Sequence, residues 1–271
     1  MIDSHCHILP GVDDGPKNLE TSIDMAKRAV DEGIDVVIAT PHCIPEVFFN
    51  EGQAVISKTQ EFQEKLAARK IPLKILPGME VHLALDVPLR LSNGSALTVC
   101  DLKKHVLLEF PLNSVPAYAG QVIFETMLKG IKPILAHPER NKEIAEDPQI
   151  LFQLIEKGCL VQVTAGSLTG HFGSKIQQLT QDFLRLGWVD FIASDAHDAV
   201  RRPFKMKEAW AEAAELVGEE GANQLFIGNP TKLINAEAIK KGDIEPYPRS
   251  RKRAGHRKKV SFFERLNRLL R

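Results

Sequence analysis

Apolar positions along the chain fall into two alternating patterns. Short, mainly apolar runs recur at 1–5 (MIDSH), 35–40 (DVVIAT), 73–76 (LKIL), 105–109 (HVLLE), 132–136 (KPILA), 159–164 (CLVQVT) and 189–193 (VDFIA). Several carry almost no polar residue, as strands of a parallel sheet covered on both faces do. Between them the apolar residues repeat at helical spacing. Leu19, Ile23, Ala26 and Val30 form one stripe, closed by Gly33. In 147–158, Asp147 suits the N-cap, Pro148 the first helical position, Leu151, Leu154 and Ile155 the stripe and Gly158 the stop. In 174–187, Ile176, Leu179, Phe183 and Leu186 precede Gly187. Segments 51–69 and 204–217 also read as helices, and Asn229-Pro230 opens a short one.

The runs start about 25–40 residues apart, the length of a strand–helix unit. Alternation of this kind predicts an α/β fold. Seven units predict a TIM-like, distorted barrel of about seven parallel strands. A doubly wound open sheet is the alternative.

Composition sets the bounds. The 271 residues, 44% of them hydrophobic, suffice for one large barrel or two small domains. A net charge of zero hides an asymmetry. Residues 249–271 hold ten Lys/Arg and one acid, Glu264, leaving 25 basic and 34 acidic residues in 1–248. Pro246 and Pro248 mark the edge, so a body at 1–245 and a basic tail at 246–271 are expected. In the tail, Val260, Phe262, Phe263, Leu266, Leu269 and Leu270 interleave with Arg265 and Arg268. That pattern suits a basic amphipathic helix on an anionic membrane surface, or a docking segment for a partner. A solvated tail is the plain alternative. The acidic body argues against nucleic acid as a partner.

No run of about 18 apolar residues is present to span a membrane. Acidic and His residues follow Met1 at once, unlike a signal peptide. Cys6, Cys43, Cys100 and Cys159 form no C-x-x-C pair and are expected to be free thiols. The expected location is the cytoplasm, with peripheral contact at the inner face of the membrane through the tail.

The chemistry lies in what ends each run. Run one delivers His5 and His7, which share a face of an extended strand while Cys6 points away. Asp13 and Asp14 follow. Run two ends in Thr40-Pro41-His42, and run three leads through Pro77-Gly78-Met79 to Glu80. Run four ends in Glu109, run five in His137 and then Pro138-Glu139-Arg140, and run seven in Ser194-Asp195-Ala196-His197. Barrel enzymes build their sites at the C-terminal ends of several strands. Packing alone does not put His, Asp or Glu at six of seven strand ends.

Imidazole and carboxylate without thiolate suit Mn²⁺, Fe²⁺ or Zn²⁺. The nine candidates are His5, His7, Asp14, His42, Glu80, Glu109, His137, Asp195 and His197. They exceed one ion's needs and predict two or three clustered divalent ions. Such clusters bind phosphate oxygens and activate water near neutral pH. His82, His105 and His256 read as non-ligands, and His171 is left open. The residues six after each cysteine are Val12, Phe49, Val106 and Ala165, so no Cys-x5-Arg phosphatase signature exists. No Gly-Lys dipeptide occurs either, which excludes a Walker-type phosphate loop. Phe48-Phe49 reads as a stacking surface for a phenol ring or as shell packing, and 166–173 as a groove-side loop or a plain connection.

Taken together, His5-x-His7, Asp13-Asp14-Gly15, Ala39-Thr40-Pro41-His42, Pro77-Gly78-Met79-Glu80, Glu109-Phe110-Pro111, Ala136-His137-Pro138-Glu139-Arg140-Asn141 and Ser194-Asp195-Ala196-His197 resemble one known group. It is the bacterial manganese-dependent protein-tyrosine phosphatases of capsule and exopolysaccharide operons, within the polymerase-and-histidinol-phosphatase (PHP) superfamily. The resemblance covers about residues 1–240. It implies a PHP fold, Mn²⁺ in preference to Fe²⁺ or Zn²⁺, and hydrolysis of phosphotyrosine. It implies His5, His7, Glu80 and Asp195 around a first ion. Glu80 as a bridge, Glu109 and His137 would hold a second, and Asp14, His42 and His197 a third. Arg140 and Arg202 match positions expected to grip phosphate, with Arg201 as the neighbouring alternative. The implied substrate is a phosphotyrosine protein, namely the tail of a membrane-associated bacterial tyrosine autokinase that regulates polysaccharide export. Oligomeric state is left open. Competing readings are a small-molecule phosphatase of the histidinol-phosphate type and a non-catalytic kinase-binding regulator. A metal-dependent nuclease fits poorly without a basic body.

Overall fold

A computed structural model describes residues 1–248. The amphipathic basic segment of the expected tail, 249–271, lies outside the described residues. Among the described residues nine strands form, in chain order: β1 (Ile2–Cys6), β2 (Val36–Ala39), β3 (His42–Cys43), β4 (Lys74–Pro77), β5 (Glu80–His82), β6 (His105–Glu109), β7 (Lys132–Ala136), β8 (Leu160–Thr164) and β9 (Phe191–Ala193). They make two parallel sheets, β1-β2-β4 and β3-β5-β6-β7-β8-β9.

Each of the seven predicted runs overlaps a strand, with β1 and β4 reaching one residue further. The other two, β3 and β5, are too short to show a hydrophobic pattern. Each continues the path of the strand before it after a two-residue break, at Thr40-Pro41 and at Gly78-Met79. Pro41 has no N–H to donate to a ladder. Gly78 lies close to β2, where a Cβ would sit 3.1 Å from Ile38 Cγ2. These interruptions divide the strands between two sheets where sequence predicts a single barrel. Beyond β9, a parallel bridge joins Ala196 to Cys6 of β1. Backbone hydrogen bonds His7 N to Ala196 O (2.9 Å) and Asp195 N to His5 O (2.8 Å) flank it.

Both faces of the strands are buried, which explains their near-continuous apolar sequence. Leu107, Ile134, Leu160 and Phe191 enter one apolar cluster, while Val106, Leu108, Leu135, Val161 and Ile192 enter a larger one. Successive side chains thus alternate between the two.

Helices connect the strands. Leu19–Asp31 starts at Asn18, whose side-chain oxygen accepts the Thr21 N–H. Gly52–Ala68, Ser174–Arg185, Met206–Asn223 and Asn229–Ile234 occupy predicted positions. Gln149–Glu156 begins one residue past Pro148, which serves as its cap. Helices Val87–Asn93 and Ala119–Leu128 carry no clear stripe in the sequence. Leu89, Phe124 and Leu128 stay exposed and blur the pattern.

Around the expected edge at residue 245 the chain still touches the body. Trp188 Nε1 donates to Glu245 O (2.7 Å), and the Tyr247 ring lies 5.9 Å from that of Trp188. No helix among the described residues is long and apolar enough to cross a membrane.

Candidate metal centre

The metal-ligand candidates converge where β1, β6, β7 and β9 end and β3 and β5 begin. His5 and His7 are fully buried. Their Nε2 atoms are 3.2 Å apart, and both face Glu80 Oε2 (3.3 and 3.2 Å) and Asp195 Oδ1 (3.4 Å each). The outer nitrogens are already committed. His5 Nδ1 meets Gln162 Oε1 at 2.7 Å, and Gln162 Nε2 donates to Val163 O, which fixes the amide orientation. His7 Nδ1 meets Asp13 Oδ2 at 2.7 Å. Each Nδ1 therefore donates, and each Nε2 turns a lone pair inward.

His42 and His197 close a second group. His197 Nδ1 donates to Asp195 O (3.0 Å), so its Nε2 faces Asp14 Oδ1 (3.2 Å) with a lone pair. His42 Nε2 is 3.5 Å from the same Asp14 oxygen, and its Nδ1 is 3.0 Å from Glu80 Oε2. His137 Nε2 lies 2.7 Å from Glu80 Oε1 and 4.0 Å from Glu109 Oε1.

Three sets bring one donor atom per residue within 4.8 Å of one another: His5, His7, Glu80 and Asp195; His7, Asp14, His42 and His197; and His42, Glu80 and Glu109. The first is the set implied for the first ion. The second adds His7 to the set implied for the third. In the remaining set His42 stands beside Glu80 and Glu109, while His137 is joined to it through Glu80.

The donors fit divalent cations. His42 Nδ1, Glu80 Oε2 and His197 Nε2 are buried with no hydrogen-bond partner among the described residues. Buried polar atoms left without hydrogen-bond partners are costly unless a positive centre lies among them. Burial opposes the charged form of Glu80, yet the His5 and His137 imidazoles hold its carboxyl well below the usual range. Asp195 is likewise held low against burial, by His5, His7 and Arg202.

Local backbone aims these groups. His137 (φ 32°) and Asp195 (φ 51°) adopt left-handed conformations just past β7 and β9, a strain that non-glycine residues seldom bear. Gly15 closes the Asp13-Asp14 turn against β1, and a Cβ there would lie 2.4 Å from His7 O.

The predicted phosphate grips sit at the edge. Arg140 Nη1 and Arg202 Nη2 each donate to Asp195 Oδ2 at 2.6 Å. Arg201 is exposed; its backbone N–H donates to Asp198 and its charge faces the same carboxylate. Phe48 stacks on His42 (5.7 Å, 11°), and Phe49 is 76% exposed. His82 Nδ1 is 3.5 Å from Glu109 Oε2, at the margin of the cluster. His105 begins β6, four residues before Glu109. His171 belongs to none of the three groups. His256 lies outside the described residues.

Sequence reading missed Asp13 and Gln162 as groups that orient the imidazoles. Gln162 left a signal, as the one amide in the mainly apolar run 159–164. Asp13 could not be told from Asp14 without the turn geometry. The four cysteines are free thiols, as expected, and Cys6, Cys43 and Cys159 are buried.

Comparison with known proteins agrees with this geometry. The family model described as capsular polysaccharide synthesis, CpsB/CapC, matches residues 1–235. Tyrosine-protein phosphatase YwqE of Bacillus subtilis (strain 168) is 39% identical over 249 residues, 92% of this chain and 97% of YwqE. Tyrosine-protein phosphatase CpsB of Streptococcus pneumoniae is 28% identical over 244 residues, 88% of this chain and 100% of CpsB. A crystal structure from work on YwqE and CpsB, described as unique metal-dependent tyrosine phosphatases, aligns with a TM-score of 0.89. It is 39% identical and covers 92% of this chain and 100% of its own. The chain whose strand ends carry this cluster belongs to the CpsB/CapC family of capsular polysaccharide synthesis.

Proposed function

We propose that this chain is a metal-dependent protein-tyrosine phosphatase acting in capsular or extracellular polysaccharide synthesis. The observation that carries the reading is the convergence of buried imidazole lone pairs and carboxylates beside two guanidinium groups. It has the support of relatives named as tyrosine phosphatases across nearly the whole described chain.

His5, His7, Glu80 and Asp195 would hold one divalent ion. Glu80 and Glu109 with His137 or His42 would hold a second, and Asp14, His42 and His197 a third. Mn²⁺ is the ion of first choice for this oxygen-and-imidazole set, ahead of Fe²⁺ and Zn²⁺. When bound, such ions neutralise phosphate oxygens and lower the pKa of water to near 7. Arg140 and Arg202 grip the outer phosphate oxygens through planar N–H forks. The Phe48 ring, held on His42, offers an apolar wall to an aryl ester. Phenolate leaves well because tyrosine has a pKa of about 10, so aryl phosphates are favoured over alkyl phosphates. No cysteine takes part: burial pushes the Cys100 and Cys159 thiols up to about 12.

The two sheets are read as one distorted, PHP-type barrel of seven strands, with β2–β3 and β4–β5 as two interrupted strands. The alternation of strand side chains between two apolar clusters and the Cys6–Ala196 bridge support that reading. Residues 1–245 form the phosphatase body and 246–271 a basic tail. The substrate is the phosphotyrosine tail of a membrane-associated tyrosine autokinase. The enzyme works in the cytoplasm, with the tail against the anionic inner face of the membrane.

The test is phosphate release from a phosphotyrosine peptide by protein stripped of metal and then given Mn²⁺. Activity that returns only with metal and survives thiol alkylation is expected. Faster turnover of histidinol phosphate than of the peptide would replace the reading with a small-molecule phosphatase. Failure to bind any divalent ion would overturn it entirely.

A further inference from the structure

Phe172 is an aromatic residue that the core does not use. It follows β8 in the Gly170-His171-Phe172-Gly173 turn and is only half-buried. Among the described residues that build or border the two apolar clusters, Phe172 is absent. Its ring makes three contacts that matter. The Arg140 guanidinium carbon lies 4.7 Å from the ring centroid. The His171 imidazole meets it edge-on at 5.1 Å. Behind it is Gly166, where a Cβ would come within 3.1 Å of Phe172 Cε2. The His171 N–H donates to Gly166 O (2.8 Å), and Gly173 N to Gly170 O (3.0 Å). The turn is thus folded back on the short helix Ala165–Leu168, and a glycine in that helix leaves the space the ring needs.

Arg140 has few other restraints. It leaves the Pro138–Arg140 turn after β7, and one of its terminal nitrogens donates to Asp195 Oδ2. One hydrogen bond fixes a point on the guanidinium but not its plane. The face of an aromatic ring fixes the plane, and attracts the cation as well. A phosphate meets a guanidinium edge-on through parallel N–H bonds, so the plane decides how well it is gripped.

We propose that Phe172 is a positioning residue for phosphate recognition, holding the Arg140 guanidinium by cation–π stacking in the plane from which it grips the substrate phosphate. The proposal rests on the phosphatase reading for the identity of the ligand, and adds the residue that orients it. It gives the 166–173 loop a role that neither packing nor the metal cluster supplies.

The test is calorimetric binding of inorganic phosphate to the Mn²⁺-loaded protein, which needs no turnover. Phe172→Leu, apolar but without a π face, is expected to weaken phosphate binding about five- to tenfold, while Phe172→Tyr stays within about twofold of wild type. In an Arg140→Ala background, Phe172→Leu is expected to change binding by less than about twofold, because the two residues act as one unit. Thermal unfolding of each variant confirms that it is folded. Wild-type affinity in folded Phe172→Leu overturns the proposal. So do effects of Phe172→Leu and Arg140→Ala that multiply independently, since ring packing alone would give that result. If the loaded wild-type protein binds no phosphate at all, the phosphatase reading fails, and this inference fails with it.

Discussion

Arg140 and Arg202 donate to the same atom, Asp195 Oδ2, each at 2.6 Å. They come from distant parts of the chain, one past β7 and the other past β9. The opposite oxygen, Oδ1, faces His5 and His7. Asp195 therefore stands between the cluster and both guanidinium groups, with one oxygen turned to each side. A phosphate drawn to both arginines is brought beside the first metal set by that single carboxylate.

This geometry separates two adjacent arginines. Arg202→Lys keeps a charge but loses the planar fork, and is expected to lower kcat/KM for a phosphotyrosine peptide about ten- to a hundredfold, the cost of a lost charge-assisted hydrogen bond. Arg201→Ala is expected to leave kcat/KM within about twofold, because the side chain is exposed and its fixed contact is a backbone one. Steady-state kinetics of both variants decide the matter. The reverse order would give the phosphate contact to Arg201.

Asp13 orders His7 from behind. Its carboxylate takes His7 Nδ1, the His42 backbone N–H (3.0 Å) and the Gly15 N–H (2.9 Å). An amide at this position offers one oxygen in place of two and no charge. Asp13→Asn is expected to weaken divalent-metal affinity about ten- to a hundredfold, as loss of a group that orients a ligating histidine does. Titration of stripped protein with Mn²⁺ measures it. Unchanged affinity would show that His7 holds its orientation without Asp13.

Much of this was legible in the sequence because strand ends carry the chemistry. His5 and His7 share a face, and His42, Glu80, Glu109, His137, Asp195 and His197 each sit at or just beyond an apolar run. The structure brings them together with Asp14. What sequence could not show depends on contacts across the sheets. Glu80 could be placed near the end of a run, but β5 itself is three residues long and has no periodicity to read. The orienting roles of Asp13 and Gln162 need the tautomers of His7 and His5, which need coordinates. The stack of Phe172 on Arg140 joins loops 32 positions apart and leaves no spacing signal.

His105 gives a pH dependence outside the cluster. It is 5% exposed at the start of β6. Burial, and after it the neighbouring Lys132 and Lys104, together lower its pKa from 6.5 to about 4. The folded protein therefore holds His105 neutral, while the unfolded chain takes up a proton below about pH 6.5. The stability tied to the neutral imidazole is present above about pH 6.5 and is lost as pH falls towards 4, where the folded form also becomes protonated. His105→Gln removes this titration and leaves the groups of the cluster in place. Urea unfolding of both proteins isolates it, because the contributions of all other groups cancel in the difference. Relative to the difference at about pH 7.5, the variant is expected to gain on the order of 2–3 kcal/mol over wild type at about pH 4.5. Parallel stability curves between those pH values would mean that His105 is solvated enough to titrate normally in the fold.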